Sequence, residues 1–329
     1  MTASAPLVTI FGGSGFVGRY VAQRMARRGW RVRVAVRRPN DAHFVRPYGD
    51  VGQVEPVQAN IRDDASVARA VAGATAVINC VGLLAESGKQ SFDAVHAQGA
   101  ARIAKAAAAA GATRMVQISA IGADAGSASS YARTKASAEA AVLDAFPGAT
   151  ILRPSIVFGT EDQFFNRFAA MARLTPVIPA VGAETKFQPV YVDDVAEAAA
   201  RAATGEAPAG VYELGGPAVY TFRELMTLML SVVRRRRLVI NLPFGVATLM
   251  AKVMGMVQTL SFGLIKAQIT VDQVELLKSD NVVAAGAKGF DALGIKPTPA
   301  EAVLDSYLYA WRPYGQYAKI TEAAKKLNV

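Results

Sequence analysis

The stretch Leu7-Val-Thr-Ile-Phe-Gly-Gly-Ser-Gly-Phe-Val-Gly18 decides the fold. Its apolar, β-branched start reads as a buried strand, Leu7–Phe11. Gly12, Gly15 and Gly18 then follow at G-x-x-G-x-x-G spacing into a helix-like segment, Phe16–Arg28. Glycines so spaced permit a tight turn and let backbone N–H groups and the helix N-terminus approach a pyrophosphate. A glycine triplet alone is a weak signal. With a strand before it and a helix behind, it predicts a dinucleotide site at Gly12, Ser14, Gly15, Phe16, Val17 and Gly18.

Outward from this loop, strand-like and helix-like segments alternate. Strands are expected at Arg31–Val36, Val54–Gln58, Ala76–Val81, Arg114–Ser119 and Thr150–Arg153, and helices at Ala65–Ala72, Phe92–Ala110 and Ser130–Phe146. Gly29, Gly73, Gly111 and Gly148 stand where helices stop in a left-handed residue. Such alternation predicts an α/β fold, a doubly wound parallel Rossmann sheet. After residue 154 the pattern loosens into a helix (Gln163–Arg173), a Pro-containing stretch (Thr175–Pro189), a strand and helix (Val190–Ala203), a strand (Val211–Leu214) and a helix (Thr221–Val233). The expected division is a dinucleotide-binding domain over 1–155 and a smaller C-terminal α/β docking subdomain over 156–329, with elements near 190–203 returning to the first.

The second strand ends at Val36, where an NAD site carries an acid for the ribose 2′-hydroxyl. Here Arg37 and Arg38 follow, and guanidinium groups suit a 2′-phosphate, so NADPH is expected rather than NADH. The competing reading is two solvated arginines. Three further segments sit at carboxyl ends of strands, where open sheets bind ligands. Asn60-Ile61 are expected beside the adenine, Cys80-Val81-Gly82 under the cofactor, and Pro154-Ser155-Ile156 at the nicotinamide.

Composition narrows the class. The single cysteine, Cys80, excludes an internal disulfide framework, and the short run Leu7–Phe11 is no export signal. The net charge of +10 is concentrated early, with 17 Lys/Arg against 10 Asp/Glu in residues 1–150. No nucleic-acid module accompanies it, so nucleic acid is not expected as a partner. No metal site is assigned.

Tyr131-Ala-Arg-Thr-Lys135 is Y-x-x-x-K at a helix start, which puts phenol and ammonium on one face. The lysine is expected to lower the phenol pKa, and Ser119, twelve residues earlier, to orient a carbonyl. With the glycine loop in order, Ser119, Tyr131 and Lys135 resemble the short-chain dehydrogenase/reductase superfamily. Val190-Tyr-Val-Asp-Asp-Val-Ala and Tyr212-Glu-Leu-Gly-Gly-Pro are similar to its extended, epimerase/dehydratase-like branch. His96 and Asn60 depart from that branch, which usually has Asn and Asp there. His96 is read as a packed helix residue rather than a proton donor.

From Leu225 to Val271 there is no acidic residue, while Arg234, Arg235, Arg236, Arg237, Lys252 and Lys266 are basic. Lys252 and the interspersed Pro and Gly make spanning a membrane improbable. A helix over Val246–Leu260 with one polar stripe suits a membrane surface or a partner subunit, or else a buried helix beside a solvated arginine run. The tail clusters Tyr307, Tyr309, Trp311, Tyr314 and Tyr317, which are docking residues or core anchors.

Asp272-Gln-Val-Glu-Leu-Leu-Lys-Ser-Asp-Asn-Val-Val283, Leu293-Gly-Ile-Lys-Pro-Thr-Pro, Glu301 and Tyr307-Leu resemble the nucleotide-binding accessory subunits of respiratory complex I and their bacterial relatives. That resemblance implies a structural NADPH, other complex I subunits as partners, and contact with the membrane surface through 234–270. It places the chain peripherally on the cytoplasmic face of a bacterial inner membrane, or the matrix side in a mitochondrion, without a stable homo-oligomer. The competing reading is an NADP(H)-dependent reductase, dehydratase or epimerase acting through Ser119, Tyr131 and Lys135 on a small carbonyl or lipid-like substrate.

Overall fold

The computed structural model describes residues 5–86, 88, 90–260 and 269–317. Its centre is a seven-stranded, wholly parallel sheet: β1 (Leu7–Phe11), β2 (Arg31–Val36), β3 (Val54–Gln58), β4 (Ala76–Asn79), β5 (Arg114–Ile118), β6 (Thr150–Pro154) and, later in the chain, β11 (Gly210–Leu214). The spatial order is β11-β6-β5-β4-β1-β2-β3. Every residue of β1 and β4 is buried, as expected of strands covered on both faces. The order reverses between β1 and β4, and a ligand crevice opens beyond the carboxyl ends of such a pair.

Helices α1 (Phe16–Arg27), α2 (Asp64–Val71), α3 (Gln98–Ala109) and α4 (Ser130–Ala145) connect these strands. Alanines let α3 lie close to its neighbours: Ala100, Ile103, Ala104 and Ala107 share a core with Phe11, Val77, Met115 and Ile151. The stretch expected as one helix from Phe92 opens instead with a π turn, Asp93–Ala97, before α3 begins. Gly29, Gly73 and Gly111 are left-handed as expected, whereas Gly148 lies outside that region.

The chain forms two units with interleaved sequence. The sheet unit comprises residues 1–154, 192–214 and 283–296, and the second comprises 155–191, 215–282 and 297–329. The expected single boundary, with one return near 190–203, is thus replaced by repeated crossings. The return helix α6 (Val192–Thr204) meets α1 through charge: Arg24 binds Asp193 and Glu197, and Arg28 and Arg201 also bind Glu197. Residues 283–296 are stitched to β11. Glu213 donates its N–H to Lys288 O and accepts from the Ala284 N–H.

The second unit contains short strands β7 (Val157–Phe158), β8 (Val177–Val181), β9 (Lys186–Phe187), β10 (Val190–Tyr191), β12 (Tyr220–Thr221) and β13 (Leu238–Leu242). They pair as β7 with β10, β8 with β13, and β9 with β12. Helices α5 (Phe165–Leu174), α7 (Phe222–Val232) and α9 (Ala300–Leu308) close an aromatic-rich core around Phe158, Phe165, Phe222 and Leu304. Tyr307 joins that core and donates to the buried Asp162, and Trp311 donates to Asn166, so these two tail aromatics are anchors. Tyr309, Tyr314 and Tyr317 are exposed.

Two side chains of the arginine run are spent on contacts within the second unit. Arg234 adopts a left-handed conformation (φ 54°) just past α7. Arg235 Nε then donates to Trp311 O and Arg237 Nε to Ala172 O, carbonyls at the carboxyl ends of a 3-10 turn and of α5. Cations at these helix ends meet unsatisfied carbonyls and the negative end of the helix dipole. Only Arg236 of the four is exposed.

Helix α8 (Phe244–Leu260) buries Ala247 and Ala251 against Val181 and Val274. It exposes Val246, Leu249, Met250, Val253 and Met256, so it is not the buried helix of the alternative reading. Residues 261–268, Lys266 among them, lie outside the described residues. Among the described residues no helix is long and apolar enough to cross a membrane.

Candidate functional site

The glycine loop is built to bring backbone to a ligand. Gly12 is left-handed (φ 72°), and its N–H donates to Ala35 O while its carbonyl accepts from Gly15 N–H. A Cβ on Gly12 would meet Val81 and the Cys80 carbonyl at 3.2–3.3 Å, so the loop rests directly on the end of β4. A Cβ on Gly18 would stand 2.2 Å from Gly12 O, which only glycine avoids. Gly15 caps α1 without any side-chain hydrogen bond, and no acid occupies the first turn. The amides at the start of α1 are therefore left for an anion, which fits a dinucleotide pyrophosphate. Phe16 and Val17 are half-buried beside them, and Ser14 O accepts from Arg19.

At the ends of β2 and β3 lies a pocket of about 520 Å³. Arg37 and Asn60 line it, and so do Gln58, Arg62, Ser66 and Arg69. Arg38 does not line it: its side chain is 85% exposed, with Asp41 at 3.9 Å. Ile61 also turns away, its side chain packing where a Cβ on Gly99 would clash. Arg62 and Arg69 were not singled out by sequence; the available signal was a basic residue two places after Asn60 and another on the following helix.

Cys80 N–H donates to Phe11 O and Val81 N–H to Asn79 Oδ1, which fixes the strand end under the glycine loop. Burial pushes the Cys80 thiol up to about 12. Gly82 passes over Lys135, within 3.6 Å of its Nζ when a Cβ is built. Pro154 ends β6, and its carbonyl accepts from Ile121 N–H. Ser155 and Ile156 belong to the second unit, where the Ser155 hydroxyl bonds Asn281 and Ile156 packs into the core. Asn281 lies in the Asp272–Val283 string, which also binds Thr185 through Leu277 O and Lys186 through Asp280. This string, one of those that carry the resemblance, is therefore an internal strap of the second unit.

Tyr131 and Lys135 come together at the start of α4, with Lys135 Nζ 5.7 Å from the phenol ring centre. Lys135 is buried, donates to Ile118 O, and is pulled down to about 8 by desolvation against the opposing pull of Glu139. Burial pushes Tyr131 up to about 12, opposite to the lowering expected from the neighbouring lysine. The phenol is thus a protonated hydrogen-bond donor at neutral pH. Ser119 also departs from its expected role. Its hydroxyl donates to the buried Glu139 carboxylate, which Arg153 holds from the other side through Nε and Nη2. A hydroxyl has one proton, and here it points at Glu139 rather than a substrate carbonyl.

His96 is the packed residue expected. It lies stacked on Phe92 and edge-on to Tyr131. Its Nε2 accepts from Leu83 N–H, which leaves Nδ1 to carry the proton toward Thr134 Oγ1. Burial, then the Lys135 charge, depress its pKa to about 3. A base depressed in the folded state contributes stability above its unfolded pKa, near 6.5, and loses it as pH falls toward 3. Urea unfolding should therefore weaken by about 3 kcal/mol from this residue between pH 7 and pH 4. His96→Gln, which keeps an acceptor for Leu83, should remove that slope; an unchanged slope would contradict a neutral, buried imidazole.

Residues 8–215 match the NAD dependent epimerase/dehydratase family. Over 323 residues the chain is 38% identical to the mitochondrial NADH dehydrogenase (ubiquinone) 1 alpha subcomplex subunit 9 of Arabidopsis thaliana, covering 95% of this chain and 80% of that protein. The Mus musculus subunit of the same name is 31% identical, with 99% and 87% covered. A ceramide reductase of Caulobacter vibrioides is 33% identical over 195 residues, 59% of this chain and 60% of that one. Among solved structures, the NADPH-dependent quinone oxidoreductase of Escherichia coli complexed with NADPH superposes with a TM-score of 0.70 at 21% identity, covering 92% and 98% of the two chains. That superposition, like the strand order, marks an NAD(P)-binding Rossmann fold. The chain belongs to the NAD dependent epimerase/dehydratase family, within the group that includes the mitochondrial NADH dehydrogenase alpha subcomplex subunit 9 proteins.

Proposed function

We propose that this chain is an accessory subunit of a respiratory NADH:quinone oxidoreductase (complex I), in which bound NADPH holds the sheet unit folded. The observation that carries the reading is the extent of the likeness. It runs over 95% and 99% of the chain against the plant and mouse subunits, spanning both units, whereas the reductase matches only 59%. A ligand that binds only the folded state adds RT ln(1 + [L]/Kd), about 4 kcal/mol at a thousandfold excess over Kd. The glycine loop and the amides of α1 would hold the pyrophosphate, and Gly82, Tyr131 and Lys135 would lie at the nicotinamide ribose. Arg37, with no acid at the end of β2, favours NADPH over NADH. When bound, NADPH supplies a hydride donor, but Ser119 spends its proton on Glu139, which favours a structural role.

The exposed apolar face of α8 is the docking surface in this reading, joined by Leu238 and Ile240 of β13. An acid-free face of this kind suits the junction with a membrane arm, on the cytoplasmic side in a bacterium or the matrix side in a mitochondrion. The second reading, a reductase, draws on the pairing of Tyr131 with Lys135 and on the ceramide reductase likeness.

Arg37→Glu tests the first reading. NADPH affinity should fall by roughly 100-fold, and the share of the chain migrating with the quinone-reducing complex on native gels should fall with it. Normal assembly of the cofactor-free variant would overturn a structural cofactor. Tyr131→Phe should leave both assembly and respiration unchanged. Loss of cellular function with NADPH still bound would favour the reductase.

A further inference from the structure

We infer that Arg62 and Arg69, together with Arg37 and without Arg38, form the site that selects a 2′-phosphorylated dinucleotide. The inference rests on the cofactor reading above and deepens it. Three guanidinium groups from three separate elements line one pocket: Arg37 after β2, Arg62 after β3 and Arg69 on α2. The turn that carries Arg62 is tied down before any ligand arrives. Asn60 Oδ1 accepts from Arg62 N–H, Asn60 N–H donates to Ser66 Oγ, and Asp63 caps α2 by accepting from Ser66 N–H. Ser66 and Arg69 lie three apart on α2 and so share a face, the one that lines the pocket. Asp63 is the single carboxylate in the lining, and one of its oxygens is engaged by the Ser66 amide. Three cations against one acid match a phosphate monoester, and the end of β2 carries Arg37 where an NAD site carries an acid. Arg38 stands outside this lining, its side chain 85% exposed.

The test uses the full chain with the minimal probes 2′,5′-ADP and 5′-AMP, followed by NADPH and NADH, in titration calorimetry at fixed salt. For Arg62→Ala/Arg69→Ala, 2′,5′-ADP and NADPH should each bind at least about 10-fold more weakly, while 5′-AMP and NADH are unchanged. Arg38→Ala should leave all four affinities as they were. Both variants alter exposed side chains, and a thermal melt checks that they fold. Asn60→Asp, which adds a second carboxylate to the lining, should also reduce the preference for 2′,5′-ADP. Retained selectivity in the double variant, or selectivity lost in Arg38→Ala, overturns this assignment and leaves the NADPH reading standing. Failure of the unsubstituted chain to bind either dinucleotide overturns both.

Discussion

Gly18→Ala is expected to abolish dinucleotide binding and to destabilise the sheet unit by about 3 kcal/mol. The added methyl would stand 2.2 Å from Gly12 O, 2.7 Å from Gly13 Cα and 2.9 Å from Gly12 C. All three are backbone atoms, so no side-chain rotation relieves the clash and α1 must move off the loop. That movement carries the helix amides away from the pyrophosphate position, coupling the stability loss to the binding loss. Gly15→Ala is the control, since its Cβ would meet only Gly12 O, at 3.1 Å. Thermal unfolding with and without NADPH reads both effects. A Gly18→Ala chain that keeps the parent midpoint and the same rise on adding NADPH would refute the close approach.

Glu139→Ala should cost about 3–5 kcal/mol in urea unfolding, as removal of one partner from a buried ion pair does. Glu139 is 5% exposed and serves three cationic or polar groups at once. It accepts from Ser119 and from Arg153 Nε and Nη2, and its charge supports the buried Lys135 ammonium. Without it, Arg153 keeps, among the described residues, Glu213 at 3.4 Å, and desolvation of Lys135 goes unopposed by its main partner. Glu139→Gln, which keeps the shape and loses the charge, should fall between the two. The same variants separate packing from chemistry: if Ser119 is held by Glu139, freeing it should not create reductase activity in a structural subunit. A loss below about 1 kcal/mol for Glu139→Ala would mean that the network is solvated rather than buried.

Much of the sheet unit is legible from local chemistry because its strands are short β-branched runs bounded by turn residues, with β1 and β4 buried throughout. β1, β2 and β3 occur with the bounds their apolar runs and flanking turn residues suggest, and the others differ by one or two residues at an end. β13 was hidden because Leu238–Leu242 merges with the apolar run of α8, and periodicity cannot separate a short strand from a buried helix turn. The return near 190–203 is expected from the sequence, whereas Val283–Lys296 carries no signal for which core it joins.

The site divides in the same way. The glycine spacing by itself determined the dinucleotide loop, because only a residue without Cβ fits against Gly12 O and that demand is written into residue type. The Tyr131–Lys135 pairing followed from one helical turn. What only the tertiary structure decided is where each polar side chain spends its hydrogen bonds. Ser119 turns to Glu139, twenty residues away in sequence, and Arg235 and Arg237 turn to carbonyls of distant helix ends. Arg62 and Arg69 line the pocket with Arg37 while Arg38 stays outside it, because the turn after β3 and helix α2 close over the end of β2. Backbone demands are local and therefore readable from sequence; the partner of a charged or hydroxyl group is a long-range choice, made only when the chain has folded.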